Sequence, residues 1–314
     1  MKKKYVPIVI FVYARPEHTK KMFESLIKNY HIKESDVYIF SDYQKNEKSK
    51  EKVNQVRDYI NNKLDKNNFK KLTIYESNKN NGLANSVISG VTEIINKYGK
   101  VIVLEDDLIL SKNFIDYMND ALNYYEEQKK IWSISGYNLP IVFPNDYQKD
   151  IYFSYRGCSW GWATWKDRWE KVDWKVDDYN QFKNNILKRK KFNRGGFDLS
   201  QMLDAQMNKR CDSWAIRWCY QQSKENSYTV YPVKSLVKNI GLDGSGTHSG
   251  TTNAYTVEIS ENKIKFSNEI VLNKKIIKKF KNMFNYGMKQ KIIEALSIIG
   301  LYELLHKMRQ KNEK

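Results

Sequence analysis

The stretch Lys100-Val-Ile-Val-Leu-Glu-Asp-Asp-Leu-Ile-Leu-Ser111 contains three consecutive acids inside an otherwise apolar run. The apolar residues before Glu105 are typical of a buried strand, and apolar residues resume directly after Asp107. Carboxylates held this close together repel one another, and they are costly to desolvate unless a positive group lies among them. Two interpretations follow. The acids are turn residues at a solvated edge, or they hold a divalent cation.

Length and composition indicate a soluble globular protein with a substantial core. The chain has 314 residues, of which 41% are hydrophobic and 29% are charged. No apolar run reaches the roughly 20 residues that a membrane-spanning helix requires. The basic and apolar start of the chain imitates a signal peptide, but Pro7 and Arg15-Pro16 argue against one, so we interpret it as a strand.

The cysteines and the net charge narrow the class of protein further. Three cysteines without a Cys-x-x-Cys pair favour a reducing cytoplasm over a disulfide framework or a structural zinc site. The net charge of +18 comes mostly from lysine, with 45 lysines against nine arginines. Proteins that read nucleic acid usually rely on arginine, so we expect no nucleic-acid partner.

The first 110 residues alternate between apolar strands and helices. Predicted strands cover residues 6–13, 36–42, 72–76 and 101–104, and predicted helices begin at Pro16, near Lys48 and after Gly82. This alternation predicts a parallel sheet covered by helices, with ligands bound at the carboxyl ends of the strands. Arg15, Asp42 and the acidic cluster follow such strands, which weakens the turn interpretation. Neither a Gly-x-Gly-x-x-Gly after the first strand nor a P-loop is present, so a bound nucleotide would need a metal.

Four stretches keep one order along roughly residues 5–250. They are Glu105-Asp106-Asp107-Leu108 with Phe114 and Tyr117 after it, Trp132-Ser-Ile-Ser-Gly-Tyr-Asn138, Gly157-Cys-Ser-Trp-Gly-Trp-Ala-Thr-Trp165 and Asp212-Ser213-Trp214. Together they resemble the GT-A glycosyltransferases, above all the inverting N-acetylglucosaminyltransferase I type and the bacterial family 2-like sugar transferases. In that family the third stretch is a glycine-tryptophan helix start.

The resemblance implies an α/β GT-A fold, in which a Rossmann-like nucleotide-binding half with a mixed sheet belongs to a single continuous catalytic domain. We expect this domain to cover residues 1–270. Residues 1–110 would bind the nucleotide-sugar, residues 111–270 would face the acceptor, and residues 271–314 would form basic amphipathic C-terminal helices.

The resemblance also implies roles for individual residues. Asp107 would bind Mn2+ or Mg2+ that bridges the donor's diphosphate, and Asp212 would be the general base. The expected donor-binding residues are Arg15, Asp42, Glu105, Asp106, Trp160 and His248. Asp106 would lie against the ribose or the donor sugar, and Asp42 would contact the nucleotide.

Several of these residues have a second interpretation. Asp212 precedes the apolar run that starts at Trp214, where it is also well placed as a helix N-cap. His248 lies in a glycine-rich loop and reaches either the diphosphate and metal or only water. The spacing of three tryptophans predicts a packed helix face, which leaves Trp160 as the candidate for stacking on a sugar. Those three are Trp162, Trp165 and Trp169.

Residues 271–314 differ in kind from the rest of the chain. They carry 11 Lys and Arg residues against three Glu, and they interleave cations with apolar residues at helical spacing. One interpretation is a segment that binds an anionic membrane surface, peripheral on the inner face of the cell membrane. The other is a helical cap that packs on the catalytic domain.

The sequence thus predicts a cytoplasmic, metal-dependent, inverting glycosyltransferase. It would move a sugar from a UDP-sugar, with UDP-GlcNAc suggested by the resemblance, to a hydroxyl of a glycan or lipid-linked glycan acceptor. Such acceptors belong to the biosynthesis of bacterial surface polysaccharides such as lipopolysaccharide or capsule. The alternatives are a metal-dependent nucleotidyltransferase and a non-enzymatic basic nucleic-acid-binding protein.

Overall fold

A computed structural model of the chain describes residues 4–245, 251–285 and 287–301. The first half of the chain, up to about residue 110, alternates strands and helices as predicted. Its strands are β1 (Ile8–Val12), β2 (Asp36–Ser41), β3 (Lys71–Glu76) and β4 (Lys100–Glu105), and its helices are α1 (Pro16–Leu26), α2 (Glu47–Asp58) and α3 (Leu83–Tyr98). The four strands pair in parallel in the order β3-β2-β1-β4. Every residue of β1 is buried, because helices cover both faces of this half.

The second half extends the same sheet with three antiparallel strand pairs and one parallel pair, Ile131–Ser135 with Tyr228–Pro232. Its strands are β5 (Leu108–Leu110), β6 (Ile131–Ser135), β7 (Ile151–Ser154), β8 (Trp162–Trp165), β9 (Tyr228–Pro232) and β10 (Val237–Asn239). Its helices are α4 (Phe114–Tyr124), α5 (Lys166–Trp169), α6 (Tyr179–Phe182), α7 (Ile186–Phe192), α8 (Leu199–Met207), α9 (Trp214–Lys224), α10 (Lys274–Asn282) and α11 (Met288–Ile298).

Within the described residues the main sheet has eight strands in the order β3-β2-β1-β4-β8-β6-β9-β7. Strand β8 pairs antiparallel with both β4 and β6, so it joins the parallel half to the rest of the sheet. Strands β5 and β10 form a separate antiparallel pair directly after the acidic cluster. The predicted α/β class, with a Rossmann-like half and a mixed sheet, is confirmed.

Trp162–Trp165 form strand β8, and helix α5 begins only at Lys166, so the prediction that Trp162, Trp165 and Trp169 share one helix face is wrong. Residues three apart in a strand point to opposite faces, and the tryptophans separate accordingly. Trp162 stacks on Trp169 and Trp214, with ring centroids 5.8 Å and 4.9 Å away. Trp165 lies on the other face, where its indole N–H donates to the carbonyl of Leu122. The tryptophans do pack in the core, but no single helix carries them.

The segment after residue 270 packs against the body of the protein. Ile276 and Phe280 of α10 are buried in the main core, and the Phe280 ring lies against Tyr152 and Tyr231. The apolar face of α10 therefore acts as the cap that one of the two interpretations predicts. The predicted second helix corresponds to α11, and the rest of the predicted segment, residues 302–314, lies outside the described residues. In the described part of the chain, no helix combines the length and apolar character needed to span a bilayer.

Candidate functional site

The acidic cluster lies at the carboxyl end of β4, directly beside the end of β1. Strands β1 and β4 are parallel neighbours with Phe11 opposite Glu105, so the residues after β1 meet the acids. Arg15 Nη2 donates to Asp106 Oδ1 at 2.6 Å, and Arg15 Nη1 lies 3.1 Å from Asp107 Oδ2. Asp106 and Asp107 form the turn between β4 and β5, but both are buried, so the interpretation of a solvated edge is wrong.

One guanidinium does not neutralise three carboxylates. Burial, followed by the charges of Asp107 and Asp106, raises the pKa of Glu105 to about 8. Burial also raises the pKa of Asp106 to about 6, although Arg15 acts in the opposite direction. The site therefore keeps an excess of negative charge that favours either a proton or a further cation.

Asp107 has the geometry to accept such a cation. Its Oδ1 is buried and has no hydrogen-bond partner among the described residues, whereas Oδ2 faces Arg15. The backbone at Gly241 packs directly on the pair, since a methyl group there would lie 2.1 Å from Asp107 Oδ2 and 2.6 Å from Arg15 Nη1. The described residues contain no group of three His, Cys, Asp or Glu side chains placed to hold a metal ion. A cation at Asp107 would thus take most of its ligands from a bound anion or from water.

A cavity of about 750 Å³ opens beside the acids and brings together most of the predicted site residues. The predicted residues that line it are Arg15, Glu105, Asp107, Trp160 and Asp212. They come from the ends of β1 and β4, from the segment between β7 and β8, and from the start of α9. This volume is in the range that small-molecule ligands occupy in proteins.

Asp212 reaches the cavity from the opposite half of the protein. Its side chain is 55% exposed and lies 3.6 Å from Arg217 Nη2. It also approaches the start of α3, because a methyl group on Gly82 would lie 3.6 Å from its Oδ2. The cap of α9 is Ser213, whose hydroxyl accepts from the N–H of Ile216 at 3.3 Å. The interpretation of Asp212 as the N-cap is wrong, because the residue directly before the helix already fills that place.

Asp42 lies at the predicted edge of the sheet, but its carboxylate is engaged by the chain itself. It accepts from the backbone N–H groups of Asn81 at 2.9 Å and Gly82 at 3.0 Å, and from the Asn80 amide at 3.2 Å. These bonds fix the loop that leads into α3. Asp42 is not part of the wall of the cavity that the described residues form. His248 lies outside the described residues.

Sequence reasoning missed the buried ion pair at another part of the cavity wall. Arg156 binds Asp198 through two hydrogen bonds of 2.7 Å and 2.9 Å, and its guanidinium lies 3.8 Å from the centre of the Phe284 ring. Met202 of α8 completes this part of the wall. No motif links these residues, which meet only in the folded chain. Trp160 lies edge-on to Tyr137 at 4.6 Å, so the predicted stacking residue belongs to an aromatic wall.

Comparisons with known proteins give distant structural likenesses only. No protein-family model matches the sequence, and no curated protein matches it. The structure of S. aureus TarS 1–349 in complex with UDP-GlcNAc is similar to 46% of this chain and 38% of its own, with 14% identity and a TM-score of 0.30. TarS 1–349 alone is similar over 74% of this chain and 60% of its own, with 11% identity and a TM-score of 0.39.

A third likeness is to the mannosyltransferase PcManGT from Pyrobaculum calidifontis in complex with GDP-Man and Mn2+. It covers 71% of this chain and 75% of that one, with 10% identity and a TM-score of 0.35. The chain thus spans less than two thirds of the length of the two TarS structures. Because these superpositions are partial, we base the function on the residues of the site.

Proposed function

We propose that this chain is a metal-dependent, inverting glycosyltransferase that moves a sugar from a UDP-sugar to a hydroxyl of a bacterial surface-glycan acceptor. UDP-GlcNAc is the first donor to test. The observation that carries the proposal is that Arg15, Asp107 and Asp212, from distant parts of the sequence, line one cavity. A cation site and a separate exposed carboxylate in one cavity are what displacement of a nucleoside diphosphate requires.

The donor's diphosphate would bind at the end of β4. Asp107 would hold Mn2+ or Mg2+ through its unpaired Oδ1, and the bound cation would stabilise the negative charge that develops on the leaving diphosphate. Arg15 lines the same cavity and is a second positive group near those oxygens. Because Gly241 has no side chain, its backbone packs directly on Asp107 and Arg15 and leaves both groups in place for the diphosphate and its cation.

The acceptor hydroxyl would be activated by Asp212. As the hydroxyl oxygen attacks the anomeric carbon, its proton passes to the Asp212 carboxylate, while the sugar's bond to the diphosphate breaks on the opposite side. One base and one displacement invert the anomeric centre. Asp212 suits this role because it is exposed to the cavity and is not committed to capping α9.

A donor screen tests the proposal directly. Purified protein is incubated with nucleotide-sugars and Mn2+, and release of the nucleoside diphosphate is measured. We expect turnover of a UDP-sugar that is lost with chelator and in Asp107→Asn. The control Asp36→Asn alters a carboxylate at the first residue of β2, the end of the strand that points away from the acidic cluster, and should keep activity. Full activity in excess chelator would show that turnover does not need a divalent cation. Release of pyrophosphate from a nucleoside triphosphate would identify a nucleotidyltransferase instead.

A further inference from the structure

Large aliphatic side chains are exposed on α7 and on the C-terminal helix α11. On α7, Ile186 is 61% exposed and Leu187 is 77% exposed. At α11, the exposed fractions are 54% for Ile292, 64% for Ile299 and 44% for Leu301. These five residues define what we call the α7–α11 surface. Scattered single exposures are ordinary, but several large exposed aliphatic side chains on two helices that are bonded to each other can mark an interaction site.

Buried ion pairs fasten the two helices to each other. Arg189 of α7 donates to Glu294 of α11 at 2.8 Å and 2.7 Å, and it also binds Asp204 of α8. Asn193 donates to the same Glu294 at 3.2 Å. Because the Arg189 side chain is almost fully buried, α7 and α11 present their exposed residues from one firmly joined unit.

The helical register of α11 leaves an apolar stripe uncovered by the described residues. Ile292, Ala295 and Ile299 fall at i, i+3 and i+7, and all three are exposed. Glu294 and Ser297 lie on the side that faces the body of the protein, where Ser297 is buried. An amphipathic helix with its polar contacts turned inward and an apolar stripe turned away from the described residues has an apolar face available to a partner.

Positive charge lies beside the exposed aliphatic residues of α7. Lys188 and Lys190 of α7 are exposed beside Leu187. Lys281 of α10 lies close enough to Lys190 that partial burial and the charge of Lys190 lower the pKa of Lys281. The nearby acids Asp204 and Glu294 are already engaged by Arg189. The surface therefore combines aliphatic groups with an excess of cations.

We infer that the α7–α11 surface docks this protein on an anionic lipid membrane. Aliphatic side chains enter the boundary between headgroups and acyl chains, while the lysines meet the negative headgroups. A soluble polyanion would use the lysines but would leave Ile186 and Leu187 in water. The inference does not depend on the proposed activity, although α8, which binds α7 through Asp204, also lines the cavity with Met202.

Vesicle cosedimentation tests this inference. Wild-type protein is mixed with vesicles of phosphatidylglycerol and phosphatidylcholine, or of phosphatidylcholine alone. We expect binding to the anionic vesicles that weakens with salt, and little binding to the neutral ones. The double variant Ile186→Ser/Leu187→Ser should bind about tenfold or more weakly, given the transfer free energy of two aliphatic side chains.

Matched variants separate the alternatives. Tyr30→Ser removes a comparably exposed hydrophobic side chain from the nucleotide-binding half and should bind vesicles like the wild type. Lys188→Glu/Lys190→Glu should lose binding to anionic vesicles, and its weak binding to neutral vesicles should equal that of the wild type. The inference is overturned if the wild type ignores anionic vesicles or if the Ile186→Ser/Leu187→Ser variant binds them normally. It is also overturned if the wild type forms a dimer that this variant dissolves, since the surface is then a contact between two copies. Turnover of a UDP-sugar with a soluble acceptor should be unchanged in the variant, which keeps this test separate from the donor screen.

Discussion

At the scale of single residues, the acids of the site carry more negative charge than the neighbouring arginine balances. Arg15 pairs with Asp106 and Asp107, two of the three carboxylates at the end of β4. Burial and the charges of the two aspartates raise the pKa of the third, Glu105, to about 8. Asp212 is separate from this cluster and exposed, and it lies 3.6 Å from Arg217, so a proton on Asp212 would leave the ion pairs of Arg15 intact. These differences between neighbouring acids lead to two predictions.

Asp212→Asn should separate chemistry from stability. Since Ser213 caps α9, the substitution should leave the melting temperature and UDP binding unchanged. Transfer should fall by roughly 10²–10⁴-fold, the usual contribution of a general base. The matched control is Ser213→Ala, which removes the cap and should cost about 1 kcal/mol of stability while largely keeping activity. If Asp212→Asn transfers sugar at the wild-type rate, another group is the base.

Glu105→Gln should stabilise the protein in alkaline solution when no metal is added. The folded state holds the Glu105 proton more tightly than the unfolded chain does, with a pKa of about 8 against the usual 4.5. That contribution to stability is complete below the unfolded pKa and is lost as the pH rises through the folded pKa. The variant has no such proton to lose. Its melting temperature in chelator should therefore gain on the wild type by about 3 °C or more between about pH 5 and about pH 9. An equal difference at both values would show that Glu105 is not buried as an acid.

At the scale of elements, the sequence could predict what a local pattern encodes, but not what depends on pairing between distant parts of the chain. Strands β1 to β4 and helix α1 show apolar periodicity and clear boundaries, so the parallel half and the edge where the acids lie were predictable. Strand β8 was not, because its four residues are all buried and show no alternation, and its tryptophans mimic helical spacing. The Arg156–Asp198 pair was invisible for a similar reason, since only the folded chain brings the two residues together. Asp42 was placed at the correct edge, but its bonds to the next loop could not be predicted from the sequence.

The segment after β10 gives a prediction at this scale. Gly241→Ala should greatly weaken UDP and metal binding, because the new methyl group would fall 2.1 Å from Asp107 Oδ2 and displace the acid from Arg15. Calorimetric titration of UDP with Mn2+ measures the effect. Gly99→Ala is the control for a generic glycine loss. That glycine has a left-handed φ of 79°, and a methyl group there meets nothing within 4 Å, so stability should fall while UDP binding stays. Normal UDP affinity in Gly241→Ala would place the diphosphate elsewhere.

At the scale of the whole molecule, the C-terminal helices are both structural and exposed. Helix α10 closes the core with Ile276 and Phe280, whereas α11 keeps an outward apolar stripe. The two interpretations of residues 271–314 are therefore compatible, because they concern different faces of different helices. The sequence could not separate them, since both helices show the same mixture of lysine and aliphatic residues.

Phe280→Ala measures how far the body depends on this segment. A buried phenylalanine replaced by alanine typically costs 3–5 kcal/mol, a large part of an ordinary folding free energy. We expect a matching fall in the denaturation midpoint, and we expect deletion of residues 271–314 to give insoluble protein. Lys278→Ala, on the exposed side of the same helix, should change stability by less than about 0.5 kcal/mol. A folded and active deletion variant would show that neither folding nor activity requires α10.

The order of the strands also matters for a chain that leaves the ribosome from its N-terminus. Strands β1 to β4 find all their neighbours among the first 105 residues, apart from the side of β4 that later receives β8. Strands β6 and β7 are different, because β9 lies between them and is synthesised long afterwards. The residues from Ser154 to Tyr228 take roughly 4–15 s to make at about 5–20 residues per second. During that interval the nascent chain presents unpaired strand edges, which are the surfaces that chaperones protect from aggregation.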